Sequence, residues 1–82
     1  MMQIAPPPNR FYHRHAHDWL EQIFACRAAE TGGVIRRQVL DVDREVGRAA
    51  FEAEVRRRGF RLLRTRNHYI IVCEAGPIDM IV

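Results

Sequence analysis

Apolar positions along the chain change their period several times, and each change marks an element. Trp19, Leu20, Ile23, Phe24 and Cys26 recur at helical spacing, which predicts a first helix from about Trp19 to Ala29. Asp18 stands before it as an N-cap, with Glu21 three residues on as in a capping box. Thr31-Gly32-Gly33 is its stop signal, glycine being favoured where the chain turns through positive φ. Val34 to Leu40 reads as a strand bounded by glycines and aspartates. Arg36 and Arg37 fall on opposite faces of it, which an edge strand tolerates best.

A second helix is expected to start at Asp41 or Asp43 and to carry Val46, Ala50, Phe51 and Val55 as a thin apolar stripe. Gly47 marks a kink or break near its start. Glu45, Glu52 and Glu54 precede Arg48, Arg56 and Arg58 by three or four positions, the spacing at which opposite charges meet on a helix. Arg56, Arg57 and Arg58 fill the last turn, where the macrodipole favours cations, and Gly59 ends the helix. Phe60, Leu62 and Arg64 then alternate with Arg61, Leu63 and Thr65, giving a strand with two distinct faces. Asn67-His68 supplies a turn, on the ground that Asn tolerates positive φ. Tyr69 to Cys73 is apolar on both faces, as a central strand would be. Ala75-Gly76-Pro77 makes a second turn into a last short strand, Ile78 to Val82. The expected fold is therefore α+β, in the order α-β-α-β-β-β. Its sheet has three or four mainly antiparallel strands, the last three in a meander, with two helices packed on one face.

Length and composition refine this picture. Eighty-two residues make one small domain, near the lower limit for folding without disulfides or metal, and a homodimer is a natural way to bury more surface. Residues 1–12, with three consecutive prolines, read as an extended arm, and 13–82 as the domain. The net charge is +3, yet all 13 basic residues are arginine and the chain has neither Lys nor Ser. Arginine is thus partly this chain's default cation, which weakens basicity as a sign of nucleic-acid binding. Cys26 and Cys73 are far apart, belong to no ligand framework and sit in apolar stretches, the pattern of buried free thiols in a reducing compartment. With no apolar leader and no run of about 20 apolar residues, a cytoplasmic location without membrane contact is expected.

Three features bear on chemistry. His13, His15 and His17 alternate, so an extended segment would point all three the same way; with Asp18 they could hold a Zn²⁺ ion. The same run sits where an arm passes into a helix, which works against that geometry, and no cofactor is expected. Arg56, Arg57, Arg61, Arg64 and Arg66, with Tyr69, form a candidate basic face for phosphate contact and base stacking. The alternative is a solvated face whose arginines pair with Glu52, Glu54 and Glu74. The third feature is His68. Helix, Gly59-Phe60, Leu62-Leu63-Arg64-Thr65-Arg66, Asn67-His68-Tyr69 and an apolar strand together resemble the core of HicA-type toxins, small mRNA interferases of double-stranded-RNA-binding type. The resemblance covers about a third of the chain. It implies that His68 acts as general acid or base on RNA and that Arg64 and Arg66 sit by the phosphates. Where that family has Gly-Ser before the histidine, this chain has Arg66-Asn67.

A Ser-His-Asp triad is excluded by the lack of Ser. The expected function is a small binding module that uses its arginine face on an anionic partner, RNA among them, or on another protein. A ribonuclease with His68 catalytic is the alternative from the enzyme class, and a structural or interaction protein without a nucleic-acid role is the third.

Overall fold

A computed structural model describes residues 10–82, with side chains from Arg14 onward. The chain is an α+β domain in which four helical segments precede or flank a three-stranded antiparallel sheet. The first helix, α1, spans Arg10–Phe24, so Asp18 lies inside it instead of capping it. Nothing between Arg10 and Asp18 is a proline or glycine, and the helix extends back through helix-compatible residues. The proposed arm, 1–12, therefore gives its last residues to α1; residues 1–9 lie outside the described part.

The first helix also ends sooner than expected. The chain bends at Ala25-Cys26, where Cys26 is extended at φ −150°, and a short helix α2 follows at Arg27–Thr31. The Cys26 thiol donates to the Ile23 carbonyl at 3.5 Å, occupying one of the carbonyls a helix end leaves free. Gly32, left-handed at φ 79°, closes α2 as its stop signal requires.

Strand β1 (Val34–Gln38) is shorter than the predicted strand, because Val39 and Leu40 open helix α3 (Val39–Glu45). The Val39 N–H bonds the Asn67 carbonyl at 2.9 Å, after which the chain winds into helix with Val39 and Val42 turned to the core. Val46 and Gly47 both donate to the Val42 carbonyl, and Gly47, at φ 93°, separates α3 from α4 (Arg48–Arg57). The positive φ is one that only glycine adopts readily. The single predicted helix is thus two, separated at Gly47. The break also removes the i,i+3 relation between Glu45 and Arg48: Arg48 pairs with Glu52 at 2.7 Å and Glu45 with Arg44 at 2.8 Å. Of the expected pairs, Glu54–Arg58 forms, at 2.7 Å.

Strands β2 (Arg61–Arg64) and β3 (His68–Val72) form a hairpin, and β1 joins the other side of β3, giving the order β1-β3-β2. β3 is the central strand and β1 an edge, as the patterning indicates. The hairpin loop is Thr65–Asn67, not Asn67-His68. Thr65 N–H donates to the His68 carbonyl at 2.8 Å and the Thr65 hydroxyl accepts the His68 N–H at 3.1 Å, so His68 already belongs to the strand. Among the described residues no side-chain-bearing residue has positive φ, Asn67 included.

Burial alternates along the strands. Ile35, Tyr69, Ile71 and Cys73 are buried with Leu62 half-buried on the helix side; Val34, Arg36 and Leu63 are exposed on the other. The helices therefore cover one face, and the core is Ile23, Phe24, Val39, Val42, Phe51 and Val55 against that strand layer. No fourth strand forms at Ile78–Val82. Both sides of β3 are already taken by β1 and β2, and after Cys73 N–H bonds the Gly33 carbonyl at 2.9 Å the chain leaves the sheet. Pro77, without an N–H, interrupts any pairing there. No described helix is long and apolar enough to cross a membrane.

α4 is tied to α1 through its last turn. Glu54, 15% exposed, accepts from Arg57 at 3.0 and 2.6 Å and from Arg58 at 2.7 Å. Arg58 in turn stacks over the Phe24 ring at 4.3 Å and reaches Glu21 at 3.4 Å. Hydrogen bonding from Arg57, ahead of that from Arg58, holds the Glu54 carboxyl below the usual carboxylate range against the opposing effect of burial. A carboxyl depressed in the folded state contributes stability above its unfolded pKa of about 4.3, and that contribution is lost as pH falls through the lower folded value. Unfolding midpoints measured by circular dichroism from pH 7 down to pH 2 are expected to fall more steeply below about pH 4 for the natural chain than for Glu54→Gln, which is less stable at pH 7.

Candidate binding groove beside the outer strand

The helix α4 and the strand β2 are joined by the turn at Gly59, where the Phe60 N–H donates to the Val55 carbonyl at 3.1 Å. Between them lies an open groove of about 400 Å³. Its floor is Val55, Phe60, Leu62 and the edge of Tyr69; its rim carries Arg48, Arg56, Arg61 and Arg64 with one carboxylate, Glu52. Glu52 pairs with Arg48. Arg56, Arg61 and Arg64 form no ion pair among the described residues. Arg61 bends back to the Gly59 carbonyl at 3.1 Å, and the Arg64 guanidinium stands 5.9 Å from the centre of the Tyr69 ring.

β2 also offers an unpaired edge. The Thr65–His68 bond fixes the phase of the β2–β3 ladder: Thr65, Leu63 and Arg61 direct their backbone groups to β3. Leu62 and Arg64 therefore direct theirs outward, beside the groove. The opposite edge of the sheet is different. Bonds Val39 to Asn67 and Cys73 to Gly33 put the outward groups of β1 on Val34, Arg36 and Gln38, and the Arg36 carbonyl is taken by the Arg37 guanidinium at 2.8 Å.

The basic face expected from the sequence is thus divided. Arg56, Arg61 and Arg64 meet at the groove, whereas Arg57 is held by both oxygens of Glu54. Arg66 and His68 border a second cavity of about 350 Å³ with Arg64, Gln38 and Asn67. There the His68 Nδ1 lies 3.4 Å from Arg36 Nη2. Tyr69 is not an exposed stacking residue: its side chain is 1% exposed, its ring packs on Phe51 at 5.0 Å, and its hydroxyl donates to Asp43 at 2.9 Å. It stands on the helix side because its strand neighbours Ile70 and His68 take the other. Burial, and then Asp43, push the phenol pKa upward, keeping it a protonated donor.

The sequence reading missed Arg48 and the free edge at Leu62 and Arg64. Arg48 was legible in principle, since Arg48, Glu52 and Arg56 follow one another at i, i+4 and share a stripe of α4. The edge was not, because it depends on which strand β1 joins.

The histidine run does not form the extended array that could have held a metal, in keeping with its place at the start of a helix. Inside α1, residues two apart point in widely different directions, which overturns the extended geometry; the His13 side chain lies outside the described residues. His15 Nε2 instead bonds Glu45 Oε1, docking α1 on α3, while His17 is exposed. Among the described residues no group of three or more His, Cys, Asp or Glu side chains could hold a metal. Burial pushes the Cys73 thiol pKa up, so it stays protonated and weakly nucleophilic.

Comparison of the chain with models of protein families, with curated proteins and with solved structures finds no match. The groove is interpreted on its own chemistry.

Tyr69→Phe keeps the ring and removes the donor to Asp43. It is expected to lower stability by about 1 kcal/mol in urea denaturation, without changing any ligand affinity that depends on the arginine rim.

Proposed function

We propose that this protein is a binding module whose groove takes an extended, acidic segment of a protein partner along the free edge of β2. The observation that carries the reading is the coincidence of three features in one place. Outward backbone groups at Leu62 and Arg64 can extend the sheet by one strand. An apolar floor of Val55, Phe60 and Leu62 receives alternate side chains of that strand. Arg56, Arg61 and Arg64 supply positive charge, none of them in an ion pair among the described residues. RNA is the less favoured anion, since Tyr69 is enclosed and the remaining groove aromatic, Phe60, is half-buried against Phe24 at 5.9 Å. Base stacking needs an aromatic face open to the ligand.

Titration of a fluorescent peptide of alternating apolar and acidic residues tests the reading. Saturable binding is expected, weakened about tenfold or more by Arg56→Glu with Arg64→Glu, the loss of charge-assisted contacts worth about 1.5–3 kcal/mol each. Absence of peptide binding at low ionic strength would remove the reading, and single-stranded RNA binding with a steep salt dependence would replace it with a nucleic-acid role.

A second reading, cleavage of RNA by His68, is supported by the second cavity, where His68 lies with Arg64 and Arg66. The His68 Nδ1 stands 3.4 Å from Arg36 Nη2, a contact that would orient the ring beside the arginines. On this reading expression arrests cell growth and His68→Ala relieves the arrest, with loss of RNA cleavage by the purified protein. Harmless expression of the natural chain together with intact RNA would rule it out.

A further inference from the structure

We infer that the segment received by the groove is Ile78–Val82 of a second copy of this chain, exchanged between two protomers. The inference rests on the peptide-binding reading above and names its partner.

The exposed apolar residues of the protein point to this occupant. Among the described residues, outside the open sheet face and Leu40, the large apolar side chains left exposed are Ile78, Met80, Ile81 and Val82, at 46%, 87%, 89% and 112%. They fall in one stretch, within a single run that also holds one acid, Asp79. Such a cluster is unusual on a surface that buries nothing with it. The segment has strand patterning: Ile78, Met80 and Val82 on one side, Asp79 and Ile81 on the other. Its own sheet has no place for it beside β3, where β1 and β2 already sit.

The two sheet edges are not equivalent receivers. On β1 the Arg36 carbonyl is capped by Arg37 at 2.8 Å, and Arg36 and Arg37 bring charge without a groove floor. On β2 the outward groups of Leu62 and Arg64 stand beside the apolar floor. An antiparallel strand with Met80 opposite Leu62 and Ile78 opposite Arg64 turns Ile78, Met80 and Val82 into the groove. The same register puts Asp79 opposite Leu63, diagonal to Arg61, within reach of a long side chain. In this register the apolar side chains fill the groove, and Asp79 meets Arg61 on the other side of the added strand. The exchange is reciprocal, each protomer giving its segment and receiving the other's, and so forms a twofold dimer.

Light scattering after size exclusion, run from micromolar to millimolar concentration, tests the exchange. The natural chain is expected to weigh twice its 9.6 kDa monomer mass. A variant lacking residues 77–82, and independently Met80→Asp, are expected to be monomers with unchanged circular dichroism. A labelled peptide of residues 74–82 is expected to bind the shortened variant, with affinity reduced about tenfold by Arg61→Glu, which removes the partner of Asp79. A natural chain that stays monomeric throughout, or a dimer that survives removal of 77–82, overturns the inference. If the 74–82 peptide does not bind but other acidic, apolar peptides bind in an Arg64-dependent way, the groove reading stands and the exchange falls; if neither binds, both fall.

Discussion

β3 has ladder partners on both sides and apolar side chains on both faces, and every other element takes its position from it. On the helix side Tyr69 and Ile71 are almost fully buried, and the Phe51 ring of α4 lies 5.0 Å from the Tyr69 ring. The Tyr69 hydroxyl reaches across to Asp43 of α3. One residue of the central strand thus orients both helices that follow β1. Burying a side chain of this size contributes about 1.5–3 kcal/mol, a large part of the roughly 5–15 kcal/mol by which a domain is stable. The same enclosure withdraws Tyr69 from any ligand.

Charge is distributed to match. The arginines at the end of α4 that face α1 are occupied: Arg57 and Arg58 share Glu54, and Arg58 also covers Phe24. Those turned toward β2 are left to solvent. The division follows from helix geometry, because Arg56 lies on the Arg48–Glu52 stripe while Arg57 and Arg58 lie three and four positions after Glu54. An arginine-rich helix end therefore serves two ends, fastening one side and charging the other.

Much of the fold was legible from the residues alone. Apolar period identified the central strand, glycine identified the end of α2 and the break at Gly47, and the paired Arg36-Arg37 identified an edge. What patterning missed has common physical causes. Asp18 is an excellent capping residue that tertiary context leaves inside α1, since nothing before it breaks a helix. Val39 and Leu40 have strand propensity but are drawn into α3, where Val39 and Val42 share a buried face. Ile78–Val82 has the composition of a strand and lacks a neighbour, a fact set by the position of β1 more than 40 residues earlier. The candidate site was half legible: its arginines are local in sequence, whereas the free backbone beside them is a property of sheet order.

The single bond from Arg37 to the Arg36 carbonyl has a wider meaning for how this sheet behaves in a crowded solution. A sheet with two receptive edges is a template that can be copied at both ends, and growth from both ends makes filaments. Here the Arg37 guanidinium occupies one outward carbonyl of β1, that of Arg36, which makes this edge less receptive than the one at β2. Together with the charge of Arg36 and Arg37, that contact disfavours pairing of another strand at the β1 edge.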